Sequence, residues 1–315
     1  MHSQSIRTLK GSRIKAFLTL LQESYTLYDV RDDPFSPKRY LIPPIETTFT
    51  HNKATGKTAV PKGPGPFVLF GLSLRELEAL TYLDEIMRTP EEDFYYSRRR
   101  EKAVLVGITE ESFEAAPGGD LLLRKVEDDL YEPLALTPKG RKILKSASRL
   151  LTSTVTPSAK KRNKKNPTMK RLRKLLKDPE LLKDAVEWSW KGAPSIWKRL
   201  ENECMGCGIC TYVCPLCHCF STEESLNLTG DCSSRCRTWT ACTLPDFSAV
   251  AGGHKFHNSI KTRYYNWYFH KFVRAYLEFG KSQCTACGRC QKECPARIDI
   301  EKVLIEIVKA YGTKK

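Results

Sequence analysis

The first 203 residues of this 315-residue chain contain no cysteine. That absence removes disulfides, thiolate metal sites and cysteine nucleophiles from the whole stretch. Long apolar runs are missing too, and no segment approaches the roughly 20 residues that a bilayer-spanning helix needs. The opening segment, MHSQSIRTLKGSRIKAFLTLLQESY, carries basic residues, but its apolar stretch is too short for the hydrophobic region of an export signal. A cytoplasmic protein is therefore expected. No glycine-rich dinucleotide fingerprint, phosphate loop or nucleophile elbow occurs, so no site for flavin, NAD or ATP is expected on the chain. The nearest spacing, Gly206-Cys-Gly208, lies inside a cysteine motif. Acids are in deficit: 36 Asp and Glu stand against 52 Lys and Arg, a net charge of +16. Part of the excess is local, because every charged residue from Lys160 to Lys177 is basic. Such a block reads as a solvated linker or exposed helix face. Docking on an acidic protein is the functional alternative. No recognition motif accompanies the charge, which argues against nucleic acid as a partner.

What is present begins with apolar content: hydrophobic residues make up 41% of the chain, enough for real cores. The N-terminal half reads as α+β. Ile14 to Tyr25 carries apolar residues at helical spacing. Lys62-Gly-Pro-Gly-Pro66 leads into a short strand, Phe67-Val-Leu-Phe70. Ser73 is placed to cap the next helix, with Glu76 at the capping-box position. That helix is expected to run to about Met87. Ala103-Val-Leu-Val106 is a second strand, and Gly118-Gly119 turns the chain into Leu121–Leu123, which pairs with the Tyr131 region. Thr137-Pro138 opens a helix running toward Leu151. Thr152 to Pro167, rich in Ser, Thr, Lys and Asn, reads as a linker. A helix follows from about Lys170, and Trp188, Trp190, Ile196, Trp197 and Leu200 read as core. The boundaries that follow are 1–151 for an α+β domain, 152–185 for a basic linker and helix, and 186–315 for a mostly α-helical domain.

All thirteen cysteines lie between Cys204 and Cys294. Two stretches repeat one pattern, Cys204-Met-Gly-Cys207-Gly-Ile-Cys210-Thr-Tyr-Val-Cys214-Pro215 and Cys284-Thr-Ala-Cys287-Gly-Arg-Cys290-Gln-Lys-Glu-Cys294-Pro295. Both read C-x2-C-x2-C-x3-C-P, the spacing of bacterial two-cluster ferredoxins, whose fourth cysteine ligates the other cluster. Three thiolates two residues apart wrap one cubane, and the fourth points away from it. The rule assigns Cys204, Cys207, Cys210 and Cys294 to one [4Fe–4S] cluster. It assigns Cys284, Cys287, Cys290 and Cys214 to a second. Zinc is the competing metal, but it prefers paired C-x2-C steps and four ligands per ion. Glycines 206, 208 and 288 let the backbone approach inorganic sulfide. Cys217, Cys219, Cys232, Cys236 and Cys242 remain. They read as buried thiols, as a third metal site built from four of the five (Cys217, Cys219 and Cys242 being the named candidates), or as a substitute for Cys214 or Cys294 as fourth ligand. His218, His254 and His257 lie in the same region. The aromatic, basic stretch Arg263–Phe279 reads as a helix packed over the clusters, with a docking face for an electron carrier as the alternative.

At this point the residues resemble a known family, the iron–sulfur beta subunits of cytoplasmic sulfhydrogenases together with the matching iron–sulfur subunit of anaerobic sulfite reductase. Beside the two motifs, the likeness rests on Pro215-Leu-Cys217-His-Cys219-Phe220, Trp239-Thr-Ala-Cys242, Val250-Ala-Gly-Gly-His254 and His270-Lys271. In the N-terminal half it rests on Phe70-Gly71, Leu83-Asp84, Asp93 with Tyr95-Tyr96, Arg99 to Lys102, Gly107-Ile108 and Asp120-Leu121. The resemblance implies a relay without catalytic residues of its own. Electrons would pass between a flavoprotein subunit (FAD, NAD(P)H) and a catalytic subunit of hydrogenase or sulfite-reductase type. Family members carry N-terminal cysteines that this chain lacks; Arg75, Glu110 and the segment Ala115–Gly119 stand in their places. The resemblance therefore implies an N-terminal α/β docking domain without a metal, followed by a two-cluster ferredoxin-like domain. Two other classes stay in view. One is a redox-responsive iron–sulfur regulatory or binding protein, and the other a reductase acting at a third cluster.

Overall fold

The computed structural model describes residues 5–111, 118–155 and 169–313. The chain opens with strand β1 (Ser5–Lys10), helix α1 (Ile14–Gln22) and strand β2 (Thr26–Asp29). A hairpin of β3 (Ile45–Asn52) and β4 (Lys57–Ala59) follows, then β5 (Phe67–Leu72), α2 (Leu74–Ile86), α3 (Phe94–Lys102) and β6 (Ala103–Thr109). Next come β7 (Leu121–Glu127), β8 (Leu130–Ala135), α4 (Pro138–Ser146) and β9 (Leu151–Val155). After these lie α5 (Lys170–Leu175), α6 (Pro179–Gly192), α7 (Pro194–Glu203) and α8 (Ile209–Tyr212). Strands β10 (Phe220–Leu226) and β11 (Cys232–Trp239) precede α9 (Ile260–Tyr268), α10 (Ala275–Phe279), α11 (Arg289–Lys292) and α12 (Ile300–Gly312). The chain divides into two compact units, and neither is contiguous in sequence. The first comprises Met1–Leu41 and Lys62–Asn166, the second Ile42–Pro61 and Pro167–Lys315.

The first unit is built on a seven-stranded sheet ordered β2-β5-β6-β7-β8-β1-β9. Strands β2, β5, β6 and β7 run parallel. β7 and β8 form the expected hairpin, and β1 pairs antiparallel with both β8 and β9. Phe67-Val-Leu-Phe70 and Ala103-Val-Leu-Val106 are buried residue by residue, as parallel strands covered on both faces must be. Phe17 and Leu21 of α1 and Ile143 of α4 share one core with Val68, Phe70, Val104, Val106, Leu121 and Leu123. The capping box of Ser73 and Glu76 is present at the start of α2. Asp120 is a buried fastener. Its carboxylate accepts from the Leu105 amide at 2.9 Å and from the Thr137 hydroxyl at 2.6 Å, tying β6 to the N-cap of α4. One expectation needs correction. Thr152–Val155, read as the start of a linker, continues β9 and pairs with β1. The β-branched run favours a strand, and its polarity is tolerated at a sheet edge. The rest of the expected linker, residues 156–167, lies outside the described residues.

The second unit joins a helical core to a small sheet. Trp197, Trp267, Tyr268 and Phe272 are its largest fully buried side chains, packed with Leu182, Leu200, Leu304 and Ile307 from surrounding helices. Trp188 and Trp190 pack against that core from its margin. The stretch Arg263–Phe279, expected as one helix, is α9, a π-helical segment Phe269–Arg274, and α10. Three consecutive residues of the π-helical segment, Lys271, Phe272 and Val273, are buried. Arg274 of the same segment is exposed, so the segment lies against the core with one side open to solvent. The sheet is antiparallel, ordered β10-β11-β3-β4. It is not legible in sequence because β10 is exposed along its whole length and shows no alternation. The strand that pairs with β11 on its other side, β3, comes from the N-terminal half of the chain. Glu46 of β3 and Arg237 of β11 form an ion pair at 2.6 Å, with their side chains 3% and 4% exposed. Among the described residues no helix is long and apolar enough to cross a membrane.

Breaking a buried ion pair from one side strands a charge. Glu46→Ala is therefore expected to lower the unfolding free energy by about 3–5 kcal/mol, whereas Glu46→Leu combined with Arg237→Met stays near wild type. Urea denaturation followed by tryptophan fluorescence checks this; equal losses in both variants would contradict it.

Candidate metal centre

The two cysteine motifs adopt one backbone. Gly208 caps α8 and Gly288 caps α11, each with φ 79° and ψ −5°. These left-handed angles suit glycine and turn the chain sharply after the second cysteine. Two residues earlier, Gly206 and Ala286 are also left-handed, at φ 65° and 53°. Their amides donate to the sulfurs of Cys204 and Cys284, both at 3.4 Å. Each loop then enters a four-residue helix, and the fourth cysteine follows that helix. Cys294 Sγ accepts from the Ile298 amide at 3.4 Å.

The structure brings the predicted ligands together in a crossed arrangement. Cys204, Cys207, Cys210 and Cys294 line one cavity of about 450 Å³, part of it open to solvent. Cys284, Cys287, Cys290 and Cys214 line a second, of about 390 Å³. The second cavity thus takes three cysteines from the second motif and Cys214 from the first, and the first takes three from the first motif with Cys294 and Cys290 from the second. Cys290, Trp267 and Ile300 line both. Both cavities are partly open to solvent; Cys207 and Met205 are exposed at the first, and Cys214 is buried at the second.

Donor chemistry tests what these cavities suit. Burial pushes the Cys210 and Cys287 thiols up to about 12 and carries Cys290 well above its ordinary value. Such thiols become thiolates when a metal cation compensates their charge. Among the described residues, no three His, Cys, Asp or Glu side chains come close enough to hold a single ion. A lone zinc would need four donors within about 2.3 Å of one point, whereas a cubane spreads its thiolates apart. Three buried donors around the cavities also have no protein acceptor: Trp267 Nε1 at both, Thr243 Oγ1 at the first and Thr285 Oγ1 at the second. A buried donor left unpaired costs about 1–3 kcal/mol, and inorganic sulfide is an acceptor that would relieve it. The residues around both cavities therefore fit iron–sulfur ligation.

The remaining cysteines have contacts of their own. Cys219 and Cys242 are hydrogen-bonded to each other, and this contact and burial raise the Cys242 thiol well above its usual value. Cys217 is buried and lies instead within the field of Lys271. Cys236, on β11, has its sulfur 3.4 Å from the Thr47 hydroxyl. None of His218, His254 and His257 lines either cavity. The His218 Nδ1–H donates to the Leu216 carbonyl at 3.2 Å.

Sequence reasoning misses the part played by Lys271, for which the pair His270-Lys271 offers no role. Lys271 is 3% exposed. Its ammonium donates to Cys214 Sγ and to the Gln283 carbonyl, both at 3.2 Å, and lies 5.1 Å from the Trp267 ring centre. Burial pulls its pKa down, but Cys214, Cys217 and Cys284 outweigh that and raise it well above the ordinary lysine value. The available signal is a lysine four residues after Trp267 inside an otherwise aromatic helical run, a spacing that stacks both on one face.

Comparison with known proteins agrees with the site. Residues 203–298, the interval spanning both motifs as far as Ile298, match the 4Fe-4S dicluster domain. The chain is also 29% identical over 284 residues to sulfhydrogenase 2 subunit beta of Pyrococcus furiosus, covering 86% of this chain and 82% of that protein. The resemblance drawn from short motifs thus extends over most of the chain, which carries an iron–sulfur domain of the 4Fe-4S type.

The two glycines of the first loop are expected to differ in tolerance. A Cβ on Gly208 would meet Ala241 Cβ at 2.8 Å, in addition to about 1–2 kcal/mol of left-handed strain. A Cβ on Gly206 meets nothing nearer than 3.8 Å, and Ala286 already occupies the matching position in the second loop. Gly208→Ala should lower the denaturation midpoint distinctly more than Gly206→Ala; equal midpoints would refute the packing argument.

Proposed function

We propose that this chain is an electron-transfer subunit of an oxidoreductase complex, carrying two [4Fe–4S] clusters. Cys204, Cys207, Cys210 and Cys294 hold one, and Cys284, Cys287, Cys290 and Cys214 hold the other. The observation that carries the reading is the crossed supply of the fourth cysteine to the two cavities. Bound there, the clusters supply one-electron carriage. The chain supplies everything else. The loop amides of Gly206 and Ala286 donate to ligand sulfurs. Trp267 and Ile300 wall both cavities with apolar surface and exclude water. The exposed edge at Cys207 is the side from which a partner's carrier approaches.

The partners we propose follow the relative, a sulfhydrogenase beta subunit. They are a flavoprotein subunit using FAD and NAD(P)H, and a catalytic subunit of hydrogenase or sulfite-reductase type, in a cytoplasmic complex. Arg75 and Glu110 stand where the family carries cysteines, so the N-terminal unit serves in docking, not as a relay. Cys219 and Cys242, bonded to each other, are assigned a structural part.

Protein purified without oxygen is expected to hold about eight iron and eight acid-labile sulfide per chain. Cys214→Ala and Cys294→Ala should each remove about half of that iron, from different clusters by EPR. Zinc in place of iron, or two variants that lose the same signal, would sink the assignment. Bleaching of the cluster absorbance by a reduced flavoprotein tests the relay role.

A further inference from the structure

We propose that Lys271 sets the two clusters to different potentials, making the one held by Cys214 the easier to reduce. The proposal rests on the two-cluster assignment above and concerns what distinguishes one site from the other. The loop backbones do not make the distinction, and Arg289 adds a positive charge beside Cys287. Gly208 and Gly288 have the same backbone angles. The amides of residues 206 and 286 donate to sulfur at the same 3.4 Å. The two sites part company at the fourth cysteine. Cys294 accepts from a neutral backbone amide, that of Ile298. Cys214 accepts from the ammonium of Lys271 at 3.2 Å.

The cation is held in place from several sides. Its second hydrogen bond goes to the Gln283 carbonyl. The Gln283 amide in turn donates to the Lys271 carbonyl at 2.7 Å, and the Gln283 side chain donates to the Leu216 carbonyl at 2.7 Å. Lys271 and Gln283 are both 3% exposed, so solvent and counterions do little to screen the charge. Among the described residues, no lysine or arginine side chain hydrogen-bonds to the sulfurs of Cys204, Cys207, Cys210 or Cys294; the donors to Cys204 and Cys294 are backbone amides. The basic residue nearest the first cavity's chemistry, Arg263, directs its guanidinium at the carbonyls of Thr243, His257 and Asn258. Its field reaches Cys204, but among the described residues it makes no hydrogen bond to a ligand sulfur.

Reduction places one more negative charge within the thiolate cage, and local charge and hydrogen bonds to sulfur are levers on cluster potential. A buried ammonium on a ligand sulfur stabilises the reduced form and raises the potential of that site. Lys271 would thus create a downhill step from the site with the exposed Cys207 to the site with the buried Cys214.

The test is an EPR-monitored redox titration of the iron-loaded full chain carrying Lys271→Met, Lys271→Gln or Lys271→Arg, with iron counted in each. The Met and Gln variants are expected to lower the reduced-to-oxidised ratio of the higher-potential cluster at least tenfold at fixed ambient potential, which is about 59 mV for one electron. The other cluster should move much less, and Lys271→Arg should stay near wild type. Equal shifts of both clusters, or none, would overturn the role of Lys271. So would loss of iron from both uncharged variants, which would make it an assembly residue instead. A wild-type chain with about four iron would instead fail the two-cluster assignment itself, so the two failures are separable.

Discussion

Cys214 and Cys294 each have to reach the cavity lined by the other motif's three cysteines, and the rest of the second unit is arranged around that reach. The two loops are far apart in sequence, so something must clamp them face to face. Short helices, α8 and α11, carry the chain away from each loop before the fourth cysteine is presented. Trp267 fills the space shared by both cavities, and its burial with Trp197, Tyr268 and Phe272 fixes the clamp. Large aromatic side chains suit the task because they bury much area with few rotatable bonds.

Much of this is legible in the sequence, because the signals involved are local. The C-x2-C-x2-C-x3-C-P spacing is a steric statement about one loop. The Ser73 capping box and the buried runs at Phe67 and Ala103 are statements about one turn or one strand. What escapes is non-local or depends on surroundings. β10 has no apolar face to betray it, and β3 has to be matched with a strand near the other end of the chain. Thr152–Val155 carries the composition of a linker and becomes a strand only because β1 offers an edge to pair with. Lys271 reads as a surface residue by type, and only the π-helical segment around it turns it inward.

Charge follows two rules in this molecule. The surplus of base over acid suits a chain that docks on acidic partners. Besides Lys38, the buried cations among the described residues are three, each with named acceptors: Arg237 has Glu46, Arg263 three carbonyls, Lys271 a sulfur and a carbonyl. A buried cation with a defined acceptor is a fixed element of the field felt by anything bound nearby, whereas exposed lysines are screened by salt.

The pairing of β3 with β11 also constrains how the polypeptide can be made. Thr47 and Cys236, which meet across that ladder, are 189 positions apart in the chain. At roughly 5–20 residues per second, a ribosome needs about 10–40 s to deliver the partner strand after the first has emerged. During that interval β3 and β4 wait as an unpaired hairpin while the segments on either side of them can already assemble the seven-stranded sheet. The four-stranded sheet of the second unit is thus held open by synthesis itself, and a C-terminal fragment cut after residue 61 would lack two of its strands.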